Sequence, residues 1–387
     1  VVYYNYKGAR GMAIEDIGAN IRRIMKIKGY SIAKLSARMG VGTATISNIL
    51  NGRSEPKSST LLKFCNALEV GLPDILADAP KLQSLRFRTN SNLSAREKAE
   101  RDQMLYETAQ WLKNYNTLED LLNVKPEYGF KDLGEADPIR LANIVREKLG
   151  LTDSQPIVDL PAEIEKAGIK LYLHSFGFKK TFGLSVADTD MGPAIVVNSE
   201  KDISIERRIF TIAHELGHLL MHRGSYNGEE TVEDRGSAQE KEADLFAGEF
   251  LLPTLALKRE WSEAIGLDLV DRVLKIKKIY RVSYQVVLMR LSQLNPQFES
   301  PQIYIRFNTE FQEKYHHNLK NHYEPEAIEE PEPLSDFDLI EDHYAALVLK
   351  VYSAGGISMS KAGEMLGKST MQMRKFLSAW KEIELNE

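Results

Sequence analysis

"RIFTIAHELGHLLMHR", residues 208–223, decides how this chain is read. Its apolar residues recur at helical spacing, which predicts a helix. On that helix His214 and His218 are four apart and leave from one face, so both imidazoles can bind one ion. Glu215 lies about a third of a turn round, beside such an ion, where its carboxylate can take a proton from bound water. Zinc lowers that water's pKa toward neutrality while keeping a coordination position open for it. The stretch therefore makes His214 and His218 candidate metal ligands and Glu215 the candidate catalytic base. The expected ion is Zn2+, with another divalent metal as the alternative.

A site of this kind needs a third protein ligand. Downstream, after the loop "GSYNGEETVEDRGS", stands "AQEKEADLFAGEFLLP". It predicts a second helix with Phe246, Ala247, Phe250 and Leu251 as its packing face and Pro253 as its stop. Glu240 and Asp244 are four apart on it, as a ligand and a carboxylate supporting a histidine ring are. Glu242 is the rival ligand, pointing away from Glu240 on the same helix. His222 could also face the ion; it reads more readily as a support or a surface residue.

The elements upstream set the fold class. Asp137-Pro138 opens a helix closed by Gly150, and a short helix near 161–167 ends at Gly168. Strand-like "IKLYLH", "TFGLSV" and "AIVVN" follow, separated by turns. One cluster of strands beside helices predicts an α+β domain with a small sheet. Here "PIRLANIVREKLGL", "AIVVNSEKDISIERRIFTIAHELGHLLMH" and "EKEADLFAGEFLLP", in that order, resemble the ImmA/IrrE family of metallo-endopeptidases over roughly 138–295. The resemblance implies a zincin-like, zinc-dependent endopeptidase in which Glu240 matches the third ligand. It also implies a helical bundle behind the site, matching "VLKIKKIYRVSYQVVLMRLSQLN". By analogy with other zinc peptidases, strand 194–198 is expected to pair with an extended substrate.

The N-terminal part has another character. Between residues 20 and 63 the basic side chains are Arg22, Arg23, Lys26, Lys28, Lys34, Arg38, Arg53, Lys57 and Lys63, opposed only by Glu55. The whole chain carries a formal net charge of -5, so this module alone calls for an anionic partner. Ile17, Ile21 and Ile24 begin a first helix; Ser31 caps a second that stops at Gly40; Thr43 to Leu50 forms a third, ended by Asn51-Gly52. Five short helices are predicted in all, and "LSARMGVGTATISNILNGRSEPKSSTLLKFCNALEV" resembles the XRE/Cro-type helix-turn-helix domain. That resemblance implies that helix 43–50 enters a major groove, offering Thr43, Ala44, Ser47 and Asn48 to base edges. Arg22, Arg23, Arg53 and Lys57 would sit on phosphates. Ala44 departs from the pattern, standing where many family members carry a longer polar reader.

The remainder is organised around these two modules. The expected boundaries are 12–78 for the helix-turn-helix domain, 79–136 for a connector with one long helix, 137–297 for the peptidase domain, 298–337 for an irregular segment with an acidic, Pro-rich linker, and 338–387 for a helical, helix-turn-helix-like end. In the connector Ser94 and Glu97 form a capping box stapled by Leu93, and Leu105, Ala109 and Leu112 mark the apolar face. Met12 is a candidate natural start, with residues 1–11 either a leader or a cloning remnant. No apolar run has the length a bilayer requires, so no membrane partner is expected. The single cysteine, Cys65, sits at an apolar position and excludes an internal disulfide framework, in keeping with a reducing cytoplasm.

Two functions are open on the sequence. The first is a regulatory zinc endopeptidase that binds DNA and, as the resemblance implies, cleaves a helix-turn-helix transcriptional repressor to derepress stress-response or mobile-element genes. The second is a transcriptional regulator or antitoxin-like repressor whose peptidase-like domain senses a signal with little or no turnover. Self-cleavage in the connector lies between the two. A homodimer is compatible with either.

Overall fold

The computed structural model describes residues 14–27, 29–76, 82, 84–87, 94–134, 137–226, 237–295, 298, 301–320 and 329–383. Arg23 lies in a described helix, but its side chain is outside the described residues, as is Leu93. The chain divides into two compact units, one drawn from Val1–Lys81 with Ala95–Gln110, the other from Leu82–Ser94 with Trp111–Glu387.

The first unit carries helices α1 (Ile14–Ile27), α2 (Ile32–Met39), α3 (Thr43–Leu50), α4 (Ser58–Leu68) and α5 (Leu72–Leu76). Ser31 accepts a hydrogen bond from the Lys34 amide, starting α2, and Gly40 takes φ +63° to end it. A left-handed residue at that point costs glycine little, and it turns the chain directly into α3. Ile46, Ile49 and Leu50 of α3 are buried against Ile21, Leu35 and Phe64, which leaves the opposite face outward. Cys65 belongs to this core.

The second unit holds a four-stranded sheet in the order β1 (Leu85–Phe87), β3 (Gly183–Val186), β4 (Ala194–Asn198), β2 (Lys170–His174). β1 and β4 run antiparallel to β3, and β2 is parallel to β4. Three of these strands follow the sequence expectation; β1 does not, since it comes from the polar segment read as connector. The strand order also corrects the substrate expectation for 194–198. β4 is interior, with both edges already paired, so no extended substrate can add to it.

The second unit also holds the C-terminal part, from Trp111, of α6 (Ala95–Leu122), then α7 (Pro138–Lys148), α8 (Leu160–Lys166), α9 (Ile205–Met221), α10 (Ala238–Leu251), α11 (Thr254–Glu263), α12 (Leu269–Tyr280), α13 (Tyr284–Leu294) and α14 (Gln302–Tyr315). Asp137 caps α7 with Pro138 in its first turn, as the sequence predicts. The C-terminal half of α6 docks through Trp111, which stacks on Tyr172 of β2 at 4.5 Å, and through Glu119, paired with buried Lys170 at 3.0 Å. α9 and α10 run through one core with Phe246, Phe250, Ile212 and Leu216, backed by Val273, Ile276 and Leu288 of the bundle. Helices α15 (His343–Ser353), α16 (Met359–Met365) and α17 (Thr370–Ile383) close the chain, with Ser358 capping α16. Among the described residues no helix is long and apolar enough to cross a membrane. The protein is mainly α-helical, with an all-α helix-turn-helix unit and a central α+β region, as the sequence predicts.

Candidate metal centre

Ser204 starts α9 by accepting the Arg207 amide, and nearly every side chain of the helix is then buried. A helix this enclosed can hold imidazoles and a carboxylate only where each finds a polar partner. His214, Glu215 and His218 stand 5 %, 4 % and 1 % exposed. α10 enters from the side, its first turn tied by Ser237, which accepts from the Glu240 amide at 3.3 Å. Gly217 makes the close approach possible: a Cβ there would stand 3.0 Å from the Phe246 ring and 3.4 Å from Cα of Ala243. The glycine of "HELGH" is thus a packing requirement that brings Glu240 within reach.

The result is a convergent set. Nε2 of His214 and Nε2 of His218 are 2.9 Å apart, and Glu240 lies 3.5 Å from the first and 3.3 Å from the second. Among the described residues, His214, His218 and Glu240 are the group of ligand atoms close enough together to hold one ion. Ligands about 2.0–2.1 Å from a tetrahedral zinc stand roughly 3.3–3.4 Å from each other, so the histidines need part only slightly. Each faces a different oxygen of Glu240, so a small turn of that carboxylate completes the set.

Outer partners orient both rings. Nδ1 of His214 is 2.8 Å from Asp244. Nδ1 of His218 is 2.8 Å from Nδ1 of His222, whose Nε2 is 2.9 Å from Glu242. Assigning protons by these bonds, Asp244 accepts from His214 Nδ1–H, while Glu242 accepts from His222 and His222 accepts from His218 Nδ1–H. Both Nε2 atoms are then the ring positions turned toward Glu240, where an ion would bind. Glu242 is therefore drawn to His222 and away from the cluster, and His222 is a support for His218.

Electrostatics follows burial. Burial pulls His214 down, yet its bonds to Asp244 and Glu240 outweigh this and push it up to about 9. Burial holds His218 well below the usual histidine range. An ion at Nε2 of His214 has to displace a proton, so acid and metal compete there. Glu215 is raised by burial and restrained by His214 and Ser185.

Glu215 is anchored from the sheet. Ser185 of β3 donates to its Oε2 at 2.7 Å and, its one proton spent, accepts from Tyr226 at 2.8 Å. Gly183 lets β3 lie on the helix: a Cβ there would stand 2.6 Å from the Thr211 methyl and 3.2 Å from Cγ of Glu215. Arg86 of β1, 3 % exposed, donates to Gln239 at 2.6 Å and lies 3.5 Å from Glu240. Sequence reading missed Ser185, Tyr226 and Arg86. Alternation along "TFGLSV" puts Gly183 and Ser185 on one face and so marked the serine; nothing in "SLRFRT" marked Arg86.

In the first unit Thr43, Ala44 and Asn48 are exposed on α3 and Ser47 is half-buried, 3.4 Å from Asn51. Arg22 donates to Asn51 at 3.0 Å, and Arg53 and Lys57 are exposed just beyond the helix. The described residues named for base and phosphate contact therefore lie on α1, on α3 and in the turn after it.

A helix-turn-helix unit and a metallopeptidase-type domain thus share this chain. Residues 164–292 match the family model described as IrrE N-terminal-like domain, of the Peptidase_M78 group, and residues 21–75 match that described as Helix-turn-helix. Both agree with the resemblances carried by the sequence. No curated protein matches the chain. Solved structures that match include apo ComR, a competence regulator from Streptococcus vestibularis, at 14 % identity, covering 97 % of this chain and 100 % of its own, with a TM-score of 0.17. PlcR from Bacillus thuringiensis, solved with the peptide PapR7 and DNA, matches at 14 % identity over 96 % of this chain and 100 % of its own, TM-score 0.16. At those TM-scores neither likeness bears on function.

Proposed function

We propose that this chain is a DNA-binding regulatory zinc endopeptidase, and that its substrate is a helix-turn-helix transcriptional repressor whose loss derepresses stress-response or mobile-element genes. The observation that carries the reading is the convergence of His214, His218 and Glu240 with Glu215 held alongside by Ser185. A purely structural ion has no use for that fourth, separately anchored carboxylate.

His214, His218 and Glu240 would hold the ion, and a zinc ion there would supply a Lewis acid and an acidified water. Asp244 and the His222–Glu242 pair keep both imidazoles in the metal-binding tautomer. Glu215 takes the proton of the attacking water and returns it to the leaving amine. Ser185, backed by Tyr226, fixes which way that carboxylate faces. In the first unit Thr43, Ala44, Ser47 and Asn48 meet bases, while Arg22, Arg23, Arg53 and Lys57 meet phosphates.

The test is co-expression with candidate helix-turn-helix repressors. Zinc is expected to co-purify and the repressor to fragment. Glu215→Gln is expected to keep the zinc and abolish the fragments; equal fragmentation by that variant overturns the mechanism.

A further inference from the structure

We propose that the outer edge of β3 is where an extended peptide pairs for cleavage, and that β1 is an internal occupant of that edge, closing it to other chains until it leaves. The inference rests on the peptidase reading and adds a regulatory step to it.

The placement of β3 comes first. It is the strand whose Ser185 holds Glu215, and whose Gly183 lies against Thr211 and Glu215 of α9. On its other side β3 pairs with β4, so only its outer edge can take an added strand. An unpaired edge strand presents a row of amide and carbonyl groups that an extended peptide can bond. A peptide there runs past the group formed by His214, His218 and Glu240.

β1 already sits in that place. Leu85 faces Val186, Arg86 faces Ser185 and Phe87 faces Leu184, all antiparallel, and the Ala187 amide donates to the Ser84 carbonyl at 3.0 Å. Arg86, opposite the serine that anchors Glu215, reaches to 3.5 Å from Glu240. A peptide laid on β3 would put its own side chain where Arg86 now is.

Open space marks both ends of the same path. At the start of β3 a narrow space of about 20 Å³, lined by Lys180, Phe182, Gly183 and Phe210, runs down to His214 and Glu215. Beyond its end lies a cavity of about 240 Å³ lined by Ala187, Asp188, Thr189, Arg223, Tyr128 and Tyr226. The larger opening suits a side chain beside a scissile bond, the smaller holds little more than water, and β1 covers the stretch between them. β1 is only three residues long, so a competing peptide replaces few ladder bonds.

The experiment uses the full-length, zinc-loaded chain and a fluorescein-labelled peptidyl hydroxamate, with binding read by anisotropy. Leu85→Cys with Val186→Cys places a disulfide across a facing pair and locks β1. The oxidised form is expected to bind the probe about tenfold more weakly than the same protein after reduction, because only the fraction with an open edge is competent. Arg86→Ala is expected to bind severalfold more tightly than wild type. Equal binding in the oxidised and reduced forms overturns the proposal, and so does failure of every form to bind. As a second measurement on the wild type, adding probe is expected to raise hydrogen exchange at 84–87 while 183–186 stays protected; unchanged exchange at 84–87 also overturns it. Turnover is read separately. Probe binding that follows the cross-link without any proteolysis leaves β1 as occupant and removes the peptidase reading. Proteolysis that ignores the cross-link does the reverse.

Discussion

His218 and His222 meet Nδ1 to Nδ1 at 2.8 Å, so the orientation of one candidate ligand depends on a second imidazole and, beyond it, on Glu242. Removing the relay leaves a buried Nδ1–H without its acceptor. His222→Ala and Glu242→Gln are each expected to weaken zinc binding about 10–100-fold. Competition with a chelating dye measures this, and unaltered affinity in both variants would rule the relay out.

Ser185 touches Glu215 and Tyr226 but none of the three candidate ligands. Its hydrogen bond stabilises the charged carboxylate, so Ser185→Ala is expected to raise the pKa of Glu215 further. The acid limb of the activity profile should then move to higher pH, with zinc content unchanged. Ser185→Thr should restore the limb. A profile that does not move in the alanine variant denies Ser185 this part.

Gly217→Ala sets two effects against each other. Alanine favours a helix interior by about 1 kcal/mol over glycine. Overpacking costs about 1–3 kcal/mol, and the neighbours, the Phe246 ring and the α10 backbone, have little room to retreat. Packing is expected to win, lowering the melting temperature and loosening zinc as Glu240 is pushed away. A stabilised variant with wild-type zinc affinity would contradict the close approach.

On the helix-turn-helix unit the two kinds of contact separate experimentally. Asn48→Ala is expected to relax discrimination at one base pair by about 1–3 kcal/mol, leaving the salt dependence nearly untouched. Lys57→Ala should weaken all sequences alike and reduce the salt slope by about 1. Binding titrations across salt concentrations on a selected site and a scrambled one distinguish them; identical behaviour of the two variants would refute the assignment.

A stability effect lies far from the centre. Burial, with Glu341, Asp342 and Asp159 nearby, pushes Glu165 of α8 up to about 9 from 4.5. A carboxyl whose folded pKa exceeds its unfolded one contributes fully below the unfolded value, and that contribution is lost as pH rises toward the folded value. Stability should therefore decline from about pH 4.5 to about pH 9 through this group. Glu165→Gln should melt higher than wild type at pH 8 and equally at pH 4. Matching melting curves at pH 8 would show that the carboxyl is solvated.

Much of this was legible before any coordinates. Ser31, Gly40 and Asp137 bound their helices as read, because caps and left-handed glycines act through neighbouring backbone groups. His214 and His218 share a face because the helical repeat puts them there, and Glu240 joins them as the family resemblance implied. What failed was the pairing of strands. β1 is three residues in a polar stretch, too short for alternation to register, and its partner lies about a hundred residues on.

The sequence by itself determined the two modules and put forward the candidate ligands and the candidate base, since these rest on spacings of a few residues within single helices and turns. Only the tertiary structure decided that Glu242 goes to His222, that Ser185 holds Glu215, that β4 is interior and that Arg86 lies beside Glu240. Those relations join segments far apart in the chain, and they are set by which strand closes the sheet and how closely Gly217 lets two helices pack.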